Sequence, residues 1–146
     1  MQTLRGYKLR PYAGRDDLPG MVAVINAARK ADNLEDRATV AEMAQQYEHL
    51  QRCDPATDIA IVEINGDVIG YARTTWDDVT EGYRAYWVVV ESHPDHPEVY
   101  EALFDWVEAR AGEVAASHPP GDKRLAAWTA EDSPKSAALR SRGFVV

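Results

Sequence analysis

Two places in the sequence hold side chains whose types and spacing could do chemistry. In the run Ser92-His93-Pro94-Asp95-His96-Pro97, two imidazoles and a carboxylate follow directly on the apolar run "YRAYWVVVE". Such groups can ligate a divalent cation. Where a strand runs into a helix, the same turn can instead present backbone N–H groups to a phosphate. The second place is Glu91, a carboxylate near the end of the apolar run and so a candidate general base. Pro94 fixes an irregular turn that need not bring His93, Asp95 and His96 together, so a strand exit is the better reading and no metal is expected. Cys53 stands alone, which excludes an internal disulfide or a cysteine-based metal frame. Its surroundings, "LQRCDPA", offer nothing to activate a thiol, and no Ser/His/Asp nucleophile arrangement is recognisable.

The elements that must position these groups are legible in order. "YKLRPY" reads as a short strand. In "GRDDLPGMVAVINAARKA", Asp16 or Asp17 can cap a helix whose apolar residues Leu18, Met21, Val22 and Ile25 recur at helical spacing. Thr39 and Glu42 form a capping-box pattern ahead of Val40, Met43, Tyr47 and Leu50. "DIAIVEI" and "DVIGYARTTW" flank Asn65-Gly66, the dipeptide best suited to the positive φ angles of a tight hairpin. "YRAYWVVVE" is a third strand, apolar on both faces as a central strand should be. A helix over Val99–Ala111 follows, carrying Val99, Leu103, Trp106 and Val107, then a strand "KRLAAWT". A last helix has Ser133 as N-cap, Pro134 at its first position and Gly143 as its stop. Trp76, Trp87, Trp106 and Trp128 fall at positions expected to be core. Tyr83 and Tyr86 read as packing residues, and "GDKR" as a solvated turn.

Composition bounds the partners. The chain has 146 residues and is 45% hydrophobic, enough for a single domain spanning residues 1–146. Lys and Arg total 16 against 24 Asp and Glu, a net charge of −8, so nucleic acid and anionic membrane surfaces are not expected partners. A small amine would be electrostatically welcome. The N-terminus has no signal-peptide core and no apolar run approaches the ~20 residues of a membrane span, so the expected location is cytoplasmic.

The order β, α, α, β, β, β, α, β, α, together with "DLPGMVAVINAA", "IAIVEINGDVIGYARTTW", "VVVESHPDH" leading into "EALFDWVEARA", and "AAWTAEDSPKSAALRSRGF", resembles the GNAT superfamily of acyl-CoA-dependent N-acetyltransferases. The resemblance covers nearly the whole chain. It implies an α/β (α+β) fold in which helices flank a mixed, mostly antiparallel central sheet. The central strand would splay from its neighbour to admit the pantetheine arm of acetyl-CoA. On this resemblance Val90, Glu91 and Ser92 would line the arm, and Pro97, Glu98 and Val99 would face the phosphates.

Two departures qualify that expectation. Family members wrap the CoA pyrophosphate with a glycine-containing loop, since a tight turn around a closely approaching anion leaves no room for a Cβ. Here "PEVYE" is two residues shorter than that loop and lacks glycine, while Glu98 and Glu101 place negative charge at the helix start. The family's usual general-acid tyrosine, four residues before the closing Gly-Phe pair, is Leu139. Weak or absent acetyl-CoA binding is therefore expected. Glu91 is the one carboxylate with positional logic for a base, set against an ordinary solvated strand-end glutamate. "RGFVV" should begin a strand beside "KRLAAWT", an arrangement resembling the degenerate half of a tandem GNAT protein cut short of its last strands. A homodimer or a following second domain would cover that edge. Two functions stay open: an N-acetyltransferase domain with a degraded cofactor loop, and a non-catalytic GNAT-fold binding or assembly module.

Overall fold

The computed structural model describes residues 2–4 and 6–146. The chain runs β1 (Gln2–Leu4), β2 (Tyr7–Pro11), α1 (Leu18–Ala31), α2 (Val40–Glu48), β3 (Ile59–Ile64), β4 (Asp67–Asp78), β5 (Arg84–Ser92), α3 (Val99–Ala116), β6 (Lys123–Ala126) and α4 (Pro134–Ser141). The strands form one sheet in the order β1-β2-β3-β4-β5-β6. Every pairing is antiparallel except β5 with β6, which is parallel. The mixed, mostly antiparallel sheet flanked by helices thus forms as the sequence leads one to expect. β1, which the residue pattern does not mark out, adds an edge strand.

Local chemistry explains the elements. Asn65 and Gly66 take φ of 50° and 84°, the left-handed pair that a two-residue hairpin requires. Thr39 Oγ1 accepts from the Glu42 N–H at 3.1 Å and its hydroxyl donates to the Glu42 carboxylate at 2.9 Å. Ser133 Oγ likewise accepts from the Ser136 N–H at 3.0 Å. Asp17 stands at the N-cap of α1 but does not cap it with its side chain. Its carboxylate instead accepts from Arg10 at 2.6 and 3.0 Å and from the Ala13 N–H at 2.7 Å, tying the start of α1 to β2.

The core lies on both faces of the sheet. On one, Ala72, Val88 and Val90 pack under Leu103, Phe104 and Val107 of α3. On the other, Ile59, Ile61 and Tyr71 pack under Leu18 and Met21 of α1 and Met43 and Tyr47 of α2. Gly70 sets how closely α3 approaches: a Cβ there would stand 2.9 Å from Leu103 Cδ1 and 3.1 Å from Val99 Cγ1.

Two expectations about the C-terminal part are corrected. "RGFVV" does not begin a strand. Gly143, at φ 92°, and Phe144 close a Schellman turn: their N–H groups donate to Arg140 O and Leu139 O at 3.1 Å each. That turn folds Phe144 back against the α3-side core, leaving Val145 and Val146 exposed. Trp128 is not a core residue either. β6 ends at Ala126, so Trp128 leaves the sheet and is 81% exposed.

Candidate functional site

The site is built where β5 outruns its parallel neighbour. Pairing with β6 stops at Trp87 opposite Ala126, while β5 continues to Ser92. The Arg84 N–H donates to Asp122 O at 2.9 Å, so even-numbered residues of β5 turn their backbone groups toward β6. Val90 therefore offers its N–H and C=O to the gap beyond the end of β6. The next such group, on Ser92, lies next to the Tyr100 hydroxyl. Burial pushes that hydroxyl well above the usual tyrosine range, against the opposing influence of the Ser92 backbone. Ser92 Oγ donates to His96 O at 2.7 Å. At the mouth of the gap the Trp128 indole stacks on Trp87, with ring centroids 5.7 Å apart and planes 5° from parallel.

Glu91 points to the α1–α2 face, directly across the ladder from Tyr71. It is not a solvated strand-end residue: it is 9% exposed, and Lys135 of α4 holds its two carboxylate oxygens at 2.7 and 3.1 Å. Beside it, Arg73, Thr75, Trp87, Val89, Trp128 and Lys135 line a cavity of about 360 Å³. Arg73 and Val89 also line a neighbouring cavity of about 490 Å³, whose wall includes Arg29, Tyr47 and Tyr71. The two hollows share Arg73 and Val89 and lie side by side as a cleft across β4 and β5, beneath α2 and α4. Burial pushes the Tyr47 hydroxyl up to about 12, with Arg73 opposing, and pushes that of Tyr71 up as well.

The turn into α3 has a different character. His93 donates its N–H to Ile69 O at 2.8 Å, Asp95 to His93 Nδ1 at 3.1 Å and His96 to His93 O at 2.8 Å. Val99 and Tyr100 donate to His96 O at 3.1 Å and Pro97 O at 3.2 Å. Pro94 and Pro97 have no N–H. The N–H groups of His93, Asp95, His96, Val99 and Tyr100 are thus engaged within the protein, which leaves that of Glu98 as the one backbone donor of the turn without an acceptor among the described residues. The Tyr7 hydroxyl donates to Glu98 and holds its carboxyl below the usual range. His93 lies 3.7 Å from Asp95 and His96 3.6 Å from Glu98. No group of three metal-ligating side chains forms a metal site among the described residues. Pro97, Glu98 and Val99 therefore stand apart from Glu91: Val99 is buried on the α3 face, and Glu91 opens to the other.

The sequence reading named Glu91 but missed Arg73, Arg29, Tyr71, Tyr47 and Lys135. The alternation of Tyr71, Arg73 and Thr75 in "DVIGYARTTW" was the available signal, since it places an arginine on an inward face. Leu139 is buried in the α3-side core, far in character from a proton donor. Burial raises the Cys53 thiol to about 11, so it is no ready nucleophile.

No family model matches this sequence, and no curated protein does. Solved structures do. A GCN5-related N-acetyltransferase from Sphaerobacter thermophilus superposes with a TM-score of 0.76 at 17% identity, over 97% of this chain and 44% of that one. The chain has the GNAT fold. The yncA protein of Salmonella typhimurium, solved with its cofactor acetyl-CoA, gives a TM-score of 0.65 at 17% identity, over 97% of this chain and 80% of that one. Glucosamine-6-phosphate N-acetyltransferase from Arabidopsis thaliana gives 0.63 at 10% identity, over 96% of this chain and 92% of that one. This GNAT-fold chain spans less than half the length of the Sphaerobacter protein. No helix among its described residues is long and apolar enough to cross a membrane.

Proposed function

We propose that this chain is an N-acetyltransferase domain that takes a small amine into the cleft beneath α2 and α4, with Glu91 as its base, and holds acetyl-CoA weakly. The observation that carries the reading is the buried Glu91–Lys135 pair, 2.7 Å apart, beside the open backbone edge of Val90. When bound, acetyl-CoA supplies the activated acyl group. Its pantetheine arm fits the Val90 edge, where strand-like hydrogen bonds are on offer. Its pyrophosphate fits the turn at Pro97, Glu98 and Val99 poorly, since the Glu98 N–H is the one donor there without an acceptor and the carboxylates repel it.

An ammonium entering the cleft can replace that of Lys135 against Glu91, so the carboxylate never loses its charge partner. Glu91 then receives the proton that must leave before the amine is nucleophilic. Leu139 leaves α4 without a hydroxyl to serve as acid. Similarity to acetyltransferases of known fold supports the reaction class, and the neighbour acting on glucosamine-6-phosphate supports an amine acceptor. The second reading, a non-catalytic binding or assembly module, is favoured by the mostly self-satisfied turn before α3. A second copy of the chain, or a following domain, would cover the exposed Leu125 and Trp128 at and after β6.

The test is transfer of labelled acetyl from millimolar acetyl-CoA to a panel of small amines at alkaline pH. Slow transfer that falls by roughly 10²–10⁴ in Glu91→Gln is expected. Folded protein that transfers nothing to any amine sinks this reading and leaves the binding module.

A further inference from the structure

Half-buried arginines in this acidic chain are matched to carboxylates. Arg10 holds Asp17 and Glu63, Arg110 holds Asp58, and Arg142 holds Glu101, Asp105 and Glu108. Arg29 and Arg73 are the exceptions. Both are half-buried, and both line the cavity of about 490 Å³. Neither guanidinium has a hydrogen bond or ion pair among the described residues. Arg73 Nε is shut off from solvent with no partner, and its guanidinium carbon sits 5.2 Å from the centre of the Tyr47 ring. A buried donor without an acceptor is destabilising, and an incoming anion would relieve that penalty.

The acids on the same wall do not fill the place. Glu42 accepts from the Thr39 hydroxyl at 2.9 Å, and Asp36 lies exposed at the rim beside Arg37. Position matters as much as charge. Tyr71 faces Glu91 across the ladder and Arg73 faces Val89, so Arg73 lies one same-face step from the Glu91 row, about 7 Å along the strand. A small molecule carrying an amine and an anion a few bonds apart spans that step.

We propose that the amine accepted by this cleft carries an oxyanion group, a carboxylate or a phosphate monoester, that docks on Arg73 and Arg29 while its amino group faces Glu91. The planar guanidinium of Arg73 suits either oxyanion through paired N–H donors. This inference rests on the cleft being an amine site, and the experiment separates the two.

The probes are two matched pairs, phenylalanine against phenethylamine and O-phosphoethanolamine against ethanolamine. They are titrated into ¹⁵N-labelled protein while the arginine Nε–Hε signals are followed by NMR. The anionic member of at least one pair should bind about tenfold more tightly than its partner and move the Arg73 signal. The pair that shows the preference tells carboxylate from phosphate. Arg73→Gln and Arg29→Gln should each erode that preference, while Arg15→Gln, a substitution at an exposed arginine, should keep it. Equal binding of anionic and neutral amines overturns the inference, as does no binding of either anion at about 10 mM or an unmoved Arg73 signal. An intact anion preference in a protein that transfers no acetyl group instead overturns the catalytic reading and leaves the anion site standing. Acetyl transfer to amines of both kinds at equal efficiency does the reverse.

Discussion

Replacing Lys135 by methionine removes the ammonium 2.7 Å from Glu91 and strands a carboxylate whose side chain is 11% exposed. At that separation the bare attraction is about 1.5 kcal/mol in water and about 6 kcal/mol at an effective dielectric of ~20. Desolvation offsets much of the larger figure, so a net coupling of ~1–3 kcal/mol is expected for this charge-assisted, mostly covered pair. A double-mutant cycle of Lys135→Met, Glu91→Gln and the double variant isolates the coupling in urea unfolding at neutral pH. With a slope of ~2 kcal/mol per molar urea, Lys135→Met should lower the midpoint by roughly 1 M, and adding Glu91→Gln should restore much of the loss. Because buried pairs are poorly screened, the coupling should survive salt of about 1 M. A coupling under ~0.3 kcal/mol, or one abolished by salt, would mean that the pair is exposed in solution. Glu91 would then be an ordinary surface carboxylate, and the case for it as the base would fail.

Gly70→Ala should cost ~1–3 kcal/mol and lower the melting temperature by several degrees, because its Cβ would press on Leu103 Cδ1 at 2.9 Å and on Glu91 O at 3.1 Å; unchanged calorimetry would show that α3 is free to shift. Asp17 should contribute to acid sensitivity. Burial alone would raise its pKa, but bonds from Arg10 and the Ala13 N–H more than offset this and lower it. Its stabilisation is thus complete above the unfolded value and is lost as pH falls through the lower folded one, so Asp17→Asn should flatten the stability profile below about pH 4. A profile identical to the parent's would contradict that linkage. Calorimetric titration should find acetyl-CoA binding weaker than ~1 μM, and a tighter constant would show that the turn before α3 rearranges to free its donors. Sedimentation at micromolar concentration should show a dimer covering Leu125 and Trp128, and a Trp128→Ala variant that stays dimeric would place the contact elsewhere.

The sheet was legible because period-two alternation, Asn65-Gly66 and the capping pairs at Thr39 and Ser133 are local signals, and the structure uses each as the residues suggest. The long-range arrangements were not. Lys135 lies 44 residues from Glu91, so nothing in either neighbourhood announces their pairing. Asp17 reads as a cap, yet Arg10 competes for its carboxylate and wins with two short bonds, at 2.6 and 3.0 Å. "RGFVV" reads as a strand start because Phe and Val favour strands, but the closing turn at Gly143 overrides propensity by carrying Phe144 onto the core.

The missing glycines in the turn before α3 have a counterpart in how the donors there are used. In a phosphate-binding turn the first N–H groups of the helix stay unpaired until an anion arrives. From His93 to Tyr100 they are instead closed by carbonyls and the His93 ring, with the Glu98 N–H excepted, and two of the positions are prolines. Restoring glycine alone would not free those donors, because the bonds within the turn already satisfy them without strain from a ligand. In the cleft the asymmetry runs the other way, since Arg73 keeps a donor unpaired where a Cβ-bearing strand could easily have placed an apolar residue. The anion that this chain is built to meet therefore belongs beside Glu91 rather than at the start of α3.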